Sequence, residues 1–244
     1  MSERVVIVTG ASSGIGLATS GMLARRGWSL ALGARDEQRL MNAANQIDTN
    51  ERPLLLPTDV SRREDVERLV ERTLDRFGRI DAIVNNAGMG EVVPVAETTW
   101  DLLERTMRTN TIGPAYLVAR AWPALVESGS GRIVNVSSYA TLDPFPGFFA
   151  YAASKGALEL TSLSARAEGG DAGIKSFNVC PAGVETPLLR RAFDESVVPA
   201  SMTLTPEDVA KVLVACLEGE RDGEACKRIY LSRSENAGVD ERVV

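Results

Sequence analysis

Tyr151 and Lys155 are the two residues of this sequence whose types and spacing point most directly to chemistry. The chain of 244 residues contains no histidine, the side chain that most often transfers protons near neutral pH. Residues four apart lie on the same face of a helix, so this phenol and this ammonium can act at one place. The pair therefore indicates acid–base chemistry by a tyrosine. On its own it is more typical of a helix surface, so the interpretation depends on the motifs around it.

A glycine-rich loop, "VTGASSGIG" at residues 8–16, follows a strand-like run and opens a helical pattern. Its glycines permit a tight turn and a close backbone approach, and the helix start aims N–H groups at a pyrophosphate. A plain glycine-rich turn is the alternative, because the spacing is G-x-x-x-G-x-G rather than the more familiar G-x-G-x-x-G. The position of the loop after the first strand favours dinucleotide binding by Gly10, Ser12, Ser13, Gly14, Ile15 and Gly16.

The end of the second predicted strand favours NADP over NAD. NAD-binding folds of this type place an acidic residue there, which bonds the ribose 2′-hydroxyl. This sequence has Ala34 and Arg35 instead, and an arginine can pair with a 2′-phosphate through charge-assisted hydrogen bonds. Asp36 follows and weakens the preference. In the alternative, NAD-binding interpretation, Arg35 is a solvated surface charge and Asp36 caps the next helix.

A bound nicotinamide gives the tyrosine and the lysine a defined reaction. A free tyrosine has a pKa of about 10, which a nearby ammonium lowers by favouring the phenolate. Tyr151 then donates a proton to a carbonyl oxygen as hydride arrives, or accepts one in the reverse direction. Lys155 also holds the nicotinamide ribose. Ser138, at the end of an apolar run, is placed to bind the developing alkoxide.

The elements that must position these residues alternate along the chain. Short β-branched runs, mostly apolar without clean alternation, are typical of parallel strands covered on both faces. The runs are 4–9, 28–33, 53–58, 80–85, 132–138, 174–180 and 228–231. Helical patterns between them predict an α/β, single-domain Rossmann fold, with a doubly wound seven-stranded parallel sheet and helices on both faces.

Three long helices are predicted, at 62–77, 99–126 and 151–168, and the second must tolerate Gly113 and Pro114. Ser61 and Glu64 form a capping-box pattern at the start of the first helix. A further helix start is marked by Thr205, Pro206 and Asp208, with proline at the first helical position.

We predict one domain over residues 1–244, with a cofactor half at about 1–130 and a catalytic and substrate half at about 131–244. The segment 185–205 lacks regular periodicity and follows a strand, which is typical of a lid beside a binding site. The polar ending "SRSENAGVDERVV" is predicted to be partly disordered.

Composition limits the classes of partner. A net charge of −6 with interspersed signs argues against nucleic acid and anionic membrane. Three cysteines without C-x-x-C spacing, and no histidine, argue against a metal site and indicate reduced thiols. The first residues lead straight into a strand pattern rather than a signal peptide, and no apolar run approaches the ~20 residues of a membrane span. We expect a cytoplasmic protein.

Taken together, these motifs resemble the classical short-chain dehydrogenase/reductase family over nearly the whole chain. Ser138 precedes Tyr151 by thirteen residues, as in that family. The matching motifs, in order, are "TGASSGIG" (9–16), "DV" (59–60), "NNAG" (85–88), Asn110, Ser138, "YAASK" (151–155) and "PAGVET" (181–186).

The resemblance implies roles for further residues. Asp59 and Val60 contact the adenine ring, and Asn110 holds a water that links Lys155 to solvent as a proton relay. An ordinary helix-surface asparagine is the alternative for Asn110. The cofactor channel is lined by Asn86, Ala87 and Gly88, and the nicotinamide is flanked by Pro181, Val184 and Thr186. A homodimer or homotetramer built on helices 99–126 and 151–168 is also implied. The unusual C-terminal ending puts the family's C-terminal subunit contacts in doubt.

The predicted function is an NADP-dependent oxidoreductase acting on a carbonyl or secondary alcohol, with NAD as a further possible cofactor. An apolar substrate fits the aromatic loops, although the same side chains also suit loop packing or a subunit contact. Arg190 and Arg191 suit an acidic tail such as a carrier-linked acyl group, or are simply solvated. The alternatives are a 3-oxoacyl-thioester reductase and a non-catalytic, NADP-binding regulatory protein. The aromatic loops that suit an apolar substrate contribute Met89, Phe145, Phe148, Phe149 and Phe193.

Overall fold

The computed structural model describes residues 4–49, 51–234 and 238–244. Within these residues the strands are β1 (Val5–Thr9), β2 (Ser29–Ala34), β3 (Leu54–Pro57), β4 (Ala82–Asn85), β5 (Arg132–Val136), β6 (Lys175–Pro181), β7 (Arg228–Ser234) and β8 (Gly238–Val243). They form one sheet in the order β3-β2-β1-β4-β5-β6-β7-β8. Strands β1 to β7 pair in parallel, and β8 runs antiparallel to β7. The strand order reverses between β1 and β4, where this class of sheet forms its binding crevice.

Helices cover both faces of the sheet. They are α1 (Gly14–Ala24), α2 (Glu37–Ala44), α3 (Arg63–Phe77), α4 (Trp100–Met107), α5 (Gly113–Glu127), α6 (Phe149–Gly169), α7 (Pro187–Ala192) and α8 (Pro206–Glu218). Neighbouring residues of β1 enter different cores: Val6 packs with Leu23 of α1, and Ile7 packs with Leu117 of α5. Side chains alternate across a strand, so these are the two faces of the sheet, and the doubly wound prediction is confirmed. Among the helices of the described residues, none is long and apolar enough to span a membrane.

The predicted count of seven strands is wrong, because the polar C-terminal stretch adds an eighth. Backbone pairs run from Ile229–Val243 to Ser234–Gly238, so much of the stretch expected to be partly disordered is ordered as an edge strand. Residues 235–237 of that stretch lie outside the described residues. Each side chain of β8 is exposed, and the strand is held mainly by backbone hydrogen bonds to β7.

The predicted capping box at Ser61 is also wrong. The N-cap of α3 is Arg62, which makes no side-chain capping bond. The Ser61 hydroxyl donates instead to Asp59 Oδ1 at 2.7 Å. Asp65 Oδ2 accepts from the Asp59 N–H at 2.9 Å, which ties the helix start to the loop after β3. The capping box between Thr205 and Asp208 at the start of α8 is confirmed.

The long helix predicted at 99–126 contains a π-helical turn, Arg108–Ile112, between α4 and α5. Pro114 has no N–H to donate and its ring clashes with a regular helical carbonyl four residues earlier. The wider turn accommodates this proline and places Asn110 at the irregular point. The helix predicted at 151–168 is confirmed as α6, Phe149–Gly169.

Gly113 allows α5 to touch the loop that follows β3. A methyl group at Gly113 would lie 2.0 Å from the Val60 carbonyl oxygen. Gly113→Ala should therefore lower the free energy of unfolding by about 1–3 kcal/mol, the usual cost of overpacking. Gly156→Ala in α6 is the matched control, since a methyl group there meets nothing within 4 Å. The control should be neutral or stabilising by up to about 1 kcal/mol. Equal urea midpoints for the two variants would contradict the assigned contact.

Candidate active site

A cavity of about 440 Å³ opens at the carboxyl ends of the central strands. Of the catalytic and cofactor-binding residues predicted from the sequence, Gly16 and Asn110 do not line it. The others do, namely Gly10, Ser12, Ser13, Gly14, Ile15, Arg35, Asp59, Val60, Asn86, Ala87, Gly88, Ser138, Tyr151, Lys155, Pro181, Val184 and Thr186. The fold therefore gathers residues from both halves of the sequence along one crevice.

The glycine-rich loop forms the floor of one half of the cavity. Gly10 and Gly14 have φ angles of 65° and 53°, the left-handed region that favours glycine. A methyl group at Gly10 would lie 2.9 Å from Ala87 Cα, and one at Gly16 would lie 2.4 Å from the Gly10 carbonyl oxygen. Gly16 thus allows the loop to pack tightly, while Gly14 begins α1 and lines the cavity, and the first N–H groups of a helix have no partner within it.

Asn86 braces this loop from the end of β4. Its Nδ2 donates to the Thr9 and Gly10 carbonyl oxygens at 2.9 and 3.1 Å. The Thr9 hydroxyl in turn accepts from the N–H groups of Asn86 and Ala87, each at 3.1 Å. The amide therefore fixes the shape of the loop where the two strands meet at the crevice.

The far end of this half is basic. Arg35 and Arg39 both line the cavity beside Ala34. Asp36 caps α2, its Oδ1 accepting from the Arg39 N–H at 2.9 Å, as one of the sequence-based alternatives proposed. Sequence reasoning missed Arg39, and its spacing of four from Arg35 gave no helical signal, because Arg35 precedes the N-cap of α2.

Tyr151, Ser138 and Lys155 come together at the other end. Lys155 is 3% exposed, and its Nζ donates to the Val136 carbonyl oxygen at 2.7 Å. The same Nζ lies 5.8 Å from the centre of the Tyr151 ring. The Ser138 hydroxyl accepts from the Ala140 N–H at 3.1 Å, and Ser138 lines the cavity together with Tyr151. A phenol, a hydroxyl and an ammonium thus share one wall of the crevice.

Burial is the main cause of the pKa shifts in this group. Burial raises the pKa of Tyr151 above its usual value, and the Ser138 hydroxyl opposes that rise. Burial also lowers the pKa of Lys155 to about 8. The net lowering of the tyrosine pKa expected from the sequence is absent, because desolvation of the phenolate dominates in this state.

Asn110 is fully buried, so the alternative of a helix-surface asparagine is wrong. Its Oδ1 accepts from the Met89 N–H at 2.9 Å, and its Nδ2 donates to the Met89 carbonyl oxygen at 2.8 Å and to Ser154 Oγ at 2.9 Å. The side chain ties the π-turn to the loop after β4 and to α6. The expectation that Asn110 holds a water remains a prediction.

An aromatic cluster lies next to Tyr151 on the substrate side. Phe148 packs against Tyr151 with ring centres 4.9 Å apart and ring planes tilted by 45°. Phe193 contacts Phe145 and Phe148 at 5.0 and 5.5 Å. Met89 also lines the cavity, whereas Phe149 is 52% exposed and does not line it.

The predicted lid, 185–205, is a loop that contains α7 and whose two ends are hydrogen-bonded to each other. Its base is joined by hydrogen bonds from the Glu185 N–H to the Leu204 carbonyl and from the Leu204 N–H to the Gly183 carbonyl. Arg190 is bound by the Glu185 carboxylate and by the Val198 carbonyl, so its guanidinium holds the loop together. Arg191 lines the cavity.

The fold and the site together are those of a Rossmann-fold oxidoreductase. The features that define this class are a mostly parallel sheet covered by helices, a glycine-rich loop at the first helix, and a crevice that holds a tyrosine and a lysine. A family model described as short chain dehydrogenase matches residues 4–196. The chain belongs to this family.

Known proteins resemble it along almost their whole length. The uncharacterised oxidoreductase Lmo0432 of Listeria monocytogenes is 32% identical over 233 residues, covering 91% of this chain and 93% of that protein. An alcohol dehydrogenase of the archaeon Thermococcus sibiricus, complexed with 5-hydroxy-NADP, is 26% identical with a TM-score of 0.85, covering 96% of this chain and 98% of that one. A 3-ketoacyl-(acyl-carrier-protein) reductase of Brucella melitensis, complexed with NADH, is 25% identical with a TM-score of 0.88 and the same coverage.

Proposed function

We propose that this oxidoreductase transfers hydride between NADP(H) and an apolar carbonyl compound or secondary alcohol, with Tyr151 as general acid and base. The observation that carries the proposal is the placement of Tyr151, Ser138 and Lys155 on one wall of the crevice that holds the glycine-rich loop. Such a wall supplies a proton donor, a hydrogen bond for a developing alkoxide and a cation near both.

The residues present fit a dinucleotide. Gly10 lets the Ala87 backbone lie close to the loop, and Gly14 does the same for the Thr186 side chain, since added methyl groups would lie 2.9 and 2.8 Å from them. The start of α1 would hold the pyrophosphate, Asp59 and Val60 the adenine, and Lys155 the nicotinamide ribose. The bound nicotinamide supplies or accepts the hydride. The proton moves at the Tyr151 hydroxyl, Ser138 orients the substrate oxygen, and the aromatic cluster excludes water.

A panel of ketones and alcohols, followed by the absorbance of reduced nicotinamide, tests the proposal. We expect NADPH-dependent reduction of medium-chain or aromatic ketones. A 3-oxoacyl thioester belongs in the panel, because Arg191 in the cavity suits an acidic carrier and supports that alternative. Cofactor binding without turnover on the whole panel would instead favour the regulatory alternative.

Phe193 should set the preference for bulky apolar substrates. It belongs to the 185–205 segment and packs on Phe145 and Phe148 beside Tyr151. Phe193→Ala should raise the KM for an aromatic ketone by about tenfold, which is within the usual range for a lost apolar contact. The KM for a three-carbon ketone should change little. Phe149→Ala is the control. Equal effects on the two ketones would contradict an apolar contact to substrate.

We also propose a cytoplasmic homodimer or homotetramer built on α4, α5 and α6. Exposed apolar side chains on these helices, Trp100 of α4 and Leu160 of α6 among them, support a subunit contact. Cys180, Cys216 and Cys226 are free thiols, in keeping with a reducing compartment. Light scattering of the purified protein tests the assembly, and a monomer at micromolar concentration would overturn it.

A further inference from the structure

A buried carboxylate lies directly behind the proposed catalytic wall. Glu159 follows Lys155 by one turn of α6 and is 1% exposed. An ionised carboxylate in such a place is costly unless it is paired and hydrogen-bonded. Arg228 of β7 pairs with it, its Nε donating to Glu159 Oε2 at 2.6 Å. The fold thus keeps the Glu159 carboxylate buried one helical turn from Lys155, paired with an arginine whose side chain is 43% exposed.

The second carboxylate oxygen binds the segment that carries Ser138. Glu159 Oε1 accepts from the Ser137 hydroxyl at 2.6 Å and from the Thr141 hydroxyl at 2.8 Å. The Thr141 hydroxyl also lies 2.9 Å from the Ser138 carbonyl oxygen. The residue before Ser138 and the end of the turn after it are therefore both tied to one carboxylate, which restricts where the Ser138 hydroxyl points.

We propose that Glu159 is a positioning residue of the active site: it fixes the Ser138 turn and places a negative charge one helical turn from the Lys155 ammonium. The proposal rests on the function proposed above for Ser138 and Lys155. It assigns no contact between Glu159 and the substrate.

Charges around Lys155 give this role a measurable consequence. Burial lowers the pKa of Lys155 to about 8, while the charges of Cys180 and Glu159 act to raise it. Cys180 of β6 is a neutral thiol at neutral pH, since burial raises its pKa far above the usual value. Tyr151 on the same helix and Tyr230 of β7 have raised pKa values and are neutral as well. Glu159 therefore supplies the negative charge that acts on Lys155, and its partner Arg228 offsets part of that charge.

Lysine NMR measures this effect without any need for turnover. The chain has four lysines, Lys155, Lys175, Lys211 and Lys227, so labelled side chains can be assigned by single substitutions. Glu159→Gln should lower the pKa of Lys155 by about one unit, the lower end of the effect of a nearby opposite charge. Glu168→Gln removes the same charge from an exposed place on α6 and should leave the pKa unchanged. An unshifted Lys155 in a folded Glu159→Gln protein would overturn the proposal.

Arg228→Gln keeps the test decisive if Glu159→Gln does not fold. It leaves a donor for the carboxylate and removes the compensating charge, so the pKa of Lys155 should rise instead of fall. An Arg228→Gln protein in which the pKa of Lys155 does not rise would overturn the proposal.

Glu159→Asp separates the two roles, because it keeps the charge and withdraws the carboxylate from Ser137 and Thr141. We expect kcat to fall while the pKa of Lys155 stays near that of wild type.

Kinetics then distinguishes this inference from the proposed function. If wild type reduces a ketone, the basic limb of the pH profile of kcat/KM should lie about one pH unit lower in Glu159→Gln than in wild type. The reason is that Lys155 loses its proton at a lower pH in the variant. An active wild type with an unmoved limb would contradict only the role of Glu159. A wild type without turnover would contradict the proposed function, and the NMR result would stand by itself.

Discussion

Tyr151→Phe is expected to reduce ketone turnover by about 10²–10⁴-fold, the usual contribution of general acid–base catalysis, while NADPH still binds. The substitution keeps the ring that packs against Phe148 and removes only the hydroxyl. Because burial raises the pKa of Tyr151, the phenol holds its proton at neutral pH, as the role of acid that we propose for it in reduction requires. Steady-state kinetics on the best ketone of the panel, with fluorescence titration of NADPH, measures both quantities.

Tyr116→Phe is the matched control for that experiment. The Tyr116 hydroxyl is bound to the Glu67 carboxylate, away from the cavity. Turnover should be unchanged in this variant. A Tyr151→Phe enzyme that retains near wild-type turnover would show that the proton comes from another group.

The parallel sheet was predictable because most of its strands are buried and therefore mostly apolar. Ile83 of β4 and Ile133 of β5 are two such residues, and each packs in a core. Strand β8 offered no such pattern, because its residues are exposed and its pairing depends on the backbone of β7. A polar edge strand of this kind has the composition of a loop, which explains the wrong count of seven.

The candidate site was predictable where its parts are local in sequence. The glycine-rich loop and the Tyr151–Lys155 spacing each lie within one strand–helix junction or one helical turn. Glu159 looked like any helix glutamate, since its partners Ser137 and Arg228 stand 22 and 69 residues away. The contacts of Asn110 with Met89, across 21 residues, were equally hidden. Contacts between residues far apart in the sequence produce no local sequence pattern, so they could not be predicted.

Cofactor preference is the second large effect we expect. Arg35 and Arg39 line the end of the cavity beside Ala34, and the Asp36 carboxylate is occupied in capping α2. This arrangement supplies two cations for a 2′-phosphate. Hydrogen bonds to charged groups contribute about 1.5–3 kcal/mol, which corresponds to roughly 10–150-fold in affinity. Wild type should therefore bind NADPH more tightly than NADH by a factor in that range.

Arg35→Ala should remove most of that preference and leave NADH binding almost unchanged, because only the phosphate loses its partner. Adding Ala34→Asp should reverse the preference, since a carboxylate bonds the ribose hydroxyls and repels the phosphate. Arg39→Ala, measured alongside, shows how much the second guanidinium contributes. Arg72→Ala, at an exposed position of α3 outside the cavity, controls for the loss of one positive charge. Fluorescence titration of both cofactors decides the matter. Equal affinities in wild type, or a parallel loss for both cofactors in Arg35→Ala, would overturn the NADP assignment and favour NAD.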